Sequence, residues 1–343
     1  LGVVALVTPW NNPIAVPLGK LAPALALGNA VVWKPAPAGA ARALSVARWL
    51  AEAGLPPGVL TVVCGGRATA ELLLSHPGVD AITLTGGEAA GVTAGAIALS
   101  RGVPLQAELG GNNGAIVWGD ADLPAAAAAI AEGAFGFAGQ RCTATRRAIV
   151  DRSCLPSFLE RLEAAVAALP WGDPLAEETV VGPLPSAASL RRVEGVVERA
   201  RGDGCEVLTP HLAAAGGAPS GGFYHPPVLV LAEDPAAEVV QEETFGPVLV
   251  VQPAAGWEEA LELLDGVRQG LAAALFSPSP ERRRSFLRRA RAGVLKLDAA
   301  TAGVDAALPF GGWKRSGIGP PEHGEGDLLA FTRAQAIYGA GGG

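Results

Sequence analysis

The sequence predicts an α/β protein of two units, each organised around a sheet of parallel strands. Three observations carry this. Short apolar runs alternate with longer amphipathic ones along most of the 343 residues, the pattern of strands joined by helical crossovers. Clusters of glycine, proline and asparagine separate the runs and mark turns. Half of the residues are hydrophobic and 17% are charged, which suits two packed cores and gives no sign of disorder.

Taken in order, residues 1–7 form a buried strand, and Thr8-Pro9-Trp10-Asn11-Asn12-Pro13 the loop after it. Residues 14–27 have helical periodicity, stopped by Gly28-Asn29. Residues 30–33 are a second strand ending at Lys34-Pro35, 40–53 a helix closed by Gly54, and 57–63 lead into a third strand. A helix at 69–75 precedes a strand at 81–84, and Gly86-Gly87 open a helix running through 98. Asn11, Lys34 and Thr85-Gly86-Gly87 thus each follow a strand directly. All lie at the carboxyl edge of a parallel sheet, where ligands bind.

The second half begins after Glu108-Leu109-Gly110-Gly111-Asn112-Asn113. It reads as a strand at 115–118, an Ala-rich helix at 121–137, a strand at 147–150, and helices at 153–169 and 190–202. A Gly/Ala/Pro-rich loop is expected through 222, after which 239–251, 257–266, 272–276 and 281–295 continue the alternation. Residues 331–338 are expected as an edge strand, and the glycine-rich end at 339–343 as disordered.

Composition excludes several classes. A net charge of -7 argues against a nucleic-acid surface, and the six arginines within 281–291 suit a solvated helix face. The four cysteines and four histidines show no metal-ligand or disulfide spacing, so a reducing, cytoplasmic setting is expected and no metal. No run is apolar enough to span a membrane. The chain has no methionine and starts inside a strand-like run, so a missing N-terminal portion is expected.

Cys142, in Gly139-Gln140-Arg141-Cys142-Thr143, is the candidate nucleophile. It ends the Ala-rich run and has Arg141 before it and Arg146-Arg147 after it; positive charge favours a reactive thiolate. Taken singly, every candidate has an ordinary structural reading. Asn11 is a turn residue beside proline, Lys34 a surface lysine, Gly86-Gly87 a tight turn, and Glu108 a paired carboxylate. The run Glu242-Glu243-Thr244-Phe245-Gly246-Pro247 is equally a polar loop entering a strand.

Together, in this order, the motifs resemble the aldehyde dehydrogenase superfamily. They are Pro9-Trp10-Asn11-Asn12-Pro13, Trp33-Lys34-Pro35, Thr85-Gly86-Gly87, Glu108-Leu109-Gly110-Gly111, Gly139-Gln140-Arg141-Cys142, Glu242 to Pro247, and Pro309 to Lys314 with Ser316-Gly317. The resemblance implies a Rossmann-like cofactor domain at 1–110, a catalytic domain at 111–310, and a segment at 311–343 that returns to the first and carries the oligomerisation strand of a dimer or tetramer. It implies that Cys142 attacks the aldehyde, that Asn11 and the Cys142 N–H hold the oxyanion, and that Glu108 activates water. Thr8, Pro9, Trp10, Lys34, Thr85, Gly86, Gly87, Leu109, Gly110, Glu243 and Phe245 would surround NAD or NADP.

Three departures stand out. Pro37 replaces the glutamate that NAD-preferring members carry to bind the adenosine ribose, Gly87 replaces a serine, and Asp298 replaces an asparagine expected near the substrate funnel. Gly139 to Thr143 followed by Arg146-Arg147, together with Gly110 to Asn113, is similar to members acting on amino-acid-derived semialdehydes, and Thr301-Ala302-Gly303 before Pro309-Phe310 to members that oxidise α-ketoglutaric semialdehyde. A carboxylate-bearing semialdehyde suits an arginine near the mouth, with Arg141 and Arg146-Arg147 as candidates; the other reading is that Arg141 tunes the thiol and Arg146-Arg147 are structural ion-pair partners. Two other readings stand beside this one: a CoA-acylating member, which Glu108 argues against because such relatives generally lack that carboxylate, and a truncated inactive copy acting as a binding or assembly protein.

Overall fold

Val3–Thr8 (β1) is built of β-branched and small apolar residues, and four of its six are buried. That is the composition of a strand covered on both faces. In the computed structural model, which describes residues 1–210, 212 and 221–339, β1 lies at the centre of the first of two compact units. This unit comprises Leu1–Glu108, Asp305–Phe310 and Ile318–Gly343.

From β1 the chain alternates through α1 (Ala15–Ala26), β2 (Ala30–Pro35), α2 (Ala40–Glu52), β3 (Leu60–Val62), α3 (Arg67–Ser75), β4 (Ala81–Thr85), α4 (Glu88–Arg101) and β5 (Leu105–Glu108). All of these strands pair in parallel, in the spatial order β5-β4-β1-β2-β3. The winding reverses at β1, between β2 and β4. Crevices outside the carboxyl ends of strands at such a reversal are where open α/β sheets take ligands. α4 runs three residues further than periodicity suggested and stops at Gly102, whose φ of 64° is the left-handed cap that glycine adopts freely. β5 was not anticipated; Gln106 and Glu108 are polar, yet both are buried.

The second unit comprises Leu109–Val304 and Gly311–Gly317. Its elements are β6 (Gly114–Val117), α5 (Leu123–Phe135), β7 (Arg147–Asp151), α6 (Leu155–Ala167), α7 (Ala187–Gly202), β8 (Glu206–Leu208), β9 (Val228–Leu231), α8 (Glu238–Gln241), β10 (Val248–Ala254), α9 (Trp257–Asp265), β11 (Gln269–Gly270), β12 (Ala272–Phe276), α10 (Pro280–Arg289), β13 (Val294–Leu297) and β14 (Trp313–Lys314). Its main sheet has the order β13-β12-β6-β7-β10-β9-β8, parallel except for the last pair. α5 starts where the Asp122 carboxylate accepts the Ala125 N–H at 3.1 Å. Its alanines then join one hydrophobic core with residues of the sheet, and Ala126, Ala131, Ala134 and Phe135 are fully buried.

Two expectations are corrected. β8 lies inside the stretch read as loop, because three residues show too little alternation to declare a strand. The tail read as an edge strand is not one: after β15 (Gly317–Ile318) comes α11 (Glu325–Phe331), and 332–338 have no regular structure. A strand needs a partner for its backbone groups, and here Ile337 and Tyr338 are exposed. Of the glycine-rich end, residues 340–343 lie outside the described residues.

A polar chain is buried beneath β4 and β5. Lys20 on α1 donates to Thr83 Oγ1 at 2.9 Å and pairs with Glu322 at 2.7 Å; Thr83 donates to Gln106 at 2.8 Å, and Gln106 to the Pro321 carbonyl at 3.2 Å. The Lys20 side chain is wholly inaccessible and that of Glu322 is 7% exposed. Removing one partner of such a pair leaves a buried charge uncompensated. Glu322→Gln is therefore expected to lower the unfolding free energy by about 3–5 kcal/mol. Adding Lys20→Met should recover most of that loss, as checked by urea unfolding of the single and double variants.

Candidate active site

The predicted site residues fall into two groups, one in each unit. In the first unit, Thr8 ends β1 and is buried; its hydroxyl accepts the indole N–H of the fully buried Trp33 at 2.8 Å. That bond ties β1 to β2 just before both strands give way to loops. Pro9, Trp10 and Asn11 follow, all partly exposed. Gly39 packs against this loop, where a side chain would come within 3.6 Å of the Pro9 carbonyl and Trp10 Cα.

Lys34 is buried in β2 at 5% exposure. Burial holds its pKa below the usual lysine value, and among the described residues no carboxylate pairs with it. Pro37 opens a single 3-10 turn, Pro37–Gly39, where its fixed φ suits the first helical position. Thr85 and Glu108 face each other across the β4–β5 ladder, and the Gly86 N–H donates to the Glu108 carbonyl at 3.0 Å. Glu108 is 3% exposed. Gly87 caps α4 without any side-chain hydrogen bond, and a Cβ there would meet nothing within 4 Å. Within the first turn of α4 the Ala90 and Gly91 N–H groups donate to the Gly87 carbonyl at 3.0 and 3.2 Å.

In the second unit the chain leaves α5 through an unusual turn. Phe137 (φ 57°), Ala138 (φ 52°) and Gly139 (φ 68°) all take left-handed backbone, which a residue with a Cβ adopts only against a penalty. Side chains hold the turn: Gln140 Nε2 donates to the carbonyls of Phe137 at 3.0 Å and Pro183 at 3.1 Å. Arg141 stacks on the Phe137 ring at 3.9 Å. Cys142 follows, partly exposed, while Thr143 and Ala144 are buried. Its carbonyl accepts from Asn113 Nδ2 at 2.8 Å, and the same amide reaches the Ala144 carbonyl at 2.8 Å. The Thr143 carbonyl accepts from Thr301 at 2.8 Å.

The 242–247 segment packs on this region within the same unit. Glu243 accepts the Gly111 N–H at 3.4 Å, and any Cβ at Gly110 would run into its carboxylate. Glu243 is partly exposed as a residue, yet its carboxyl end lies inward. Burial raises its pKa to about 6, against the opposing pull of Arg146 and Arg192. Phe245 has φ 48°, another strained position. Leu109 and Gly110 are held by Ser316, which accepts the Leu109 N–H through its carbonyl at 2.8 Å and donates its hydroxyl to the Gly110 carbonyl at 2.7 Å.

Several residues read differently in three dimensions. Arg146 and Arg147, weighed as carboxylate receivers, are buried and donate to backbone carbonyls. Asp298, expected near the substrate funnel, gives its carboxylate to Arg283 and to the Ser277 N–H. Lys20, Gln106, Glu322, Asn113 and Ser316 support the site and carried no site role in the sequence reading. Only Ser316 and the Asn112-Asn113 pair lay in recognised motifs.

Residues 1–337 match the aldehyde dehydrogenase family. The alpha-ketoglutaric semialdehyde dehydrogenase of Bacillus subtilis (strain 168) is 38% identical over 339 residues, covering 98% of this chain and 70% of that protein. The alpha-ketoglutarate semialdehyde dehydrogenase of Haloferax volcanii is 36% identical, with 98% and 70% covered. Among solved structures, an aldehyde dehydrogenase of Mycobacterium tuberculosis complexed with NAD+ superposes with a TM-score of 0.90 at 34% identity, covering 97% of this chain and 68% of that one. An NADP-dependent glyceraldehyde-3-phosphate dehydrogenase of Bacillus halodurans C-125 complexed with NADP gives 0.89 at 34% identity, with 97% and 68% covered. The chain therefore belongs to the aldehyde dehydrogenase family of enzymes.

Proposed function

We propose that this chain oxidises an aldehyde to the carboxylic acid with NAD or NADP, and that the aldehyde is a carboxylate-bearing semialdehyde. The observation that supports the chemistry most is the left-handed turn at Phe137 to Gly139, which ends in a partly exposed cysteine. Strained backbone beside a nucleophile is a recurrent feature of active sites.

In this reading the Cys142 thiolate bonds to the carbonyl carbon. The resulting oxyanion takes hydrogen bonds from the Asn11 amide and the Cys142 N–H. Loss of hydride from that adduct leaves a thioester on Cys142. Glu108 accepts a proton from the water that attacks the thioester carbon, and the thiolate leaves again. The nicotinamide, when bound, supplies the hydride acceptor.

The residues present fit a dinucleotide. The N-terminus of α4, where no side chain at Gly86 or Gly87 bars a close approach, suits a diphosphate, and buried Lys34 the adenosine ribose. Glu243 and Phe245, beside Leu109 and Gly110, would hold the nicotinamide ribose and ring, and Thr8, Pro9, Trp10 and Thr85 complete the surroundings. Pro37 carries no carboxylate to repel a 2'-phosphate, so both cofactors are expected to be used. The semialdehyde assignment is supported by the names of the two relatives given above. It is also supported by Arg141, which lies half-buried on Phe137 and can receive a carboxylate.

Three outcomes test this. Cys142→Ala is expected to abolish formation of reduced cofactor while cofactor still binds. Glu108→Gln should give a single burst and no steady turnover; retained turnover would remove Glu108 from the base role. Pro37→Glu should raise the NAD-to-NADP ratio of kcat/KM by about tenfold or more, since a like charge against the phosphate opposes binding by several kcal/mol.

Glu243 yields a fourth. Its folded pKa of about 6 lies above the ordinary 4.5, so the folded state favours the protonated form. The associated stability is full below pH 4.5 and is lost as pH rises through 6. Glu243→Gln is expected to gain about 2 kcal/mol of unfolding free energy at pH 7.5 and nothing at pH 4.5. Urea titrations at both pH values read this directly. Equal effects at the two pH values would show that Glu243 is not held protonated by burial.

A further inference from the structure

Two consecutive arginines are buried, Arg146 at 2% and Arg147 at 1% exposure, a rare placement for so strongly charged a group. The fold accounts for one of them. Arg147 donates from Nε to the Asn112 carbonyl at 3.0 Å, from Nη1 to Leu263 at 2.6 Å, and from Nη2 to Leu264 at 2.9 Å. Every nitrogen of that guanidinium braces the end of α9 and the approach to β6.

Arg146 serves different ground. Nη1 donates to the Gly246 carbonyl at 2.9 Å, and Nη2 donates to the carbonyl of Gly139 and, at 3.3 Å, to that of Arg141. Its guanidinium lies 5.7 Å from the centre of the Phe245 ring. Among the described residues no partner meets its buried Nε. Burial lowers its pKa to about 10, and Glu243 and then Cys142 favour its charge while Arg192 opposes it. The group remains cationic at neutral pH.

The neighbouring charges make different contacts. Arg192, from α7, donates to the Thr244 and Phe245 carbonyls. Arg141 is stacked on Phe137 and has Glu132 of α5 as its counter-charge. Glu243 leans on Gly110 and Gly111. Arg146 is thus the cation whose hydrogen bonds reach both the residue preceding Cys142 and the 244–246 segment.

We propose that Arg146 is a positioning residue that clamps the Cys142 turn to the 244–246 segment and supplies the fixed positive charge favouring the Cys142 thiolate. The proposal rests on Cys142 being the nucleophile. The clamp needs the planar fork and the thiolate needs the permanent charge: lysine keeps the charge and loses the fork, and glutamine loses the charge.

The test follows alkylation of Cys142 by iodoacetamide between pH 5 and 10, read by peptide mass spectrometry, with no aldehyde or cofactor present. The parent, Arg146→Lys and Arg146→Gln are compared, and circular dichroism and thermal midpoints are recorded for each. Arg146→Gln should move the alkylation midpoint up by about one pH unit, a roughly tenfold slower reaction at pH 7. Arg146→Lys should restore the midpoint yet lower kcat for aldehyde oxidation with little change in KM. An unmoved midpoint in folded Arg146→Gln, with only the thermal midpoint reduced, overturns the proposal and leaves a purely structural arginine. Should Arg146→Gln not fold, Arg146→Lys decides, and parental kcat in that variant overturns the clamp. If parental Cys142 reacts no faster than exposed Cys64, it is the nucleophile assignment that falls, and the proposal with it.

Discussion

The left-handed run at Phe137, Ala138 and Gly139 is the constraint around which the second unit is arranged. Two of these residues carry a Cβ, and each such residue costs about 1–2 kcal/mol relative to right-handed backbone. Gly139 has a further demand, since a side chain there would strike the Gly246 carbonyl and come within 2.9 Å of Arg146. The turn persists because its polar groups are met from outside it. Val180 accepts the Phe137 N–H, Gln140 folds back on the Phe137 carbonyl, and Arg146 takes that of Gly139. The Ala-rich helix α5 contributes the other half: buried alanines let it seat against the sheet, so the turn leaves from a fixed point.

In the first unit the comparable constraint is the order of the strands. A sheet wound β3-β2-β1 on one side and β4-β5 on the other delivers the loops after β1 and β4 to the same edge. The strands that reach this edge carry polar residues inward, which bare burial would penalise. They are satisfied in series, Lys20 to Thr83 to Gln106 and Lys20 to Glu322. α11, from the far end of the chain, closes the arrangement by burying Phe331 with Leu21, Val31 and Trp33. Asn29 bonds the Phe331 carbonyl at 3.1 Å, tying residues 302 positions apart.

Most helices and the longer strands were legible because their apolar periodicity is carried by many residues. What escaped was short or depended on distant partners. β5 has two polar residues among four, and β8 is three residues long; neither shows a period. The tail from 332 to 338 has strand-like composition, but composition cannot supply the neighbour a ladder requires. At the site, the motif residues were readable only together, by their order along the chain, because each of them alone has an ordinary structural use. Their supports were not. Nothing beside Lys20 in sequence announces Glu322, and nothing beside Arg146 announces Gly246. The same limit explains Asp298, expected near the substrate funnel, whose partner Arg283 lies 15 positions earlier on the preceding helix.

Strain and buried charge concentrate in one part of the second unit. Phe137, Ala138 and Phe245 sit at unfavourable φ, Glu243 is raised to about 6 and Arg146 lowered to about 10. Both ionisable groups are displaced toward their neutral forms, so their mutual attraction falls short of what burial takes from them. A sequence selected for stability alone would place apolar residues here, since replacing a buried ion pair by well-packed apolar groups is commonly neutral or stabilising. Yet the displacement stops short of neutralising either group at pH 7. Local choices that oppose stability and agree with one another are the mark of a site kept for chemistry. Here they agree on a single outcome, which is a cysteine held on a stiff turn with a permanent cation bonded to the residue before it.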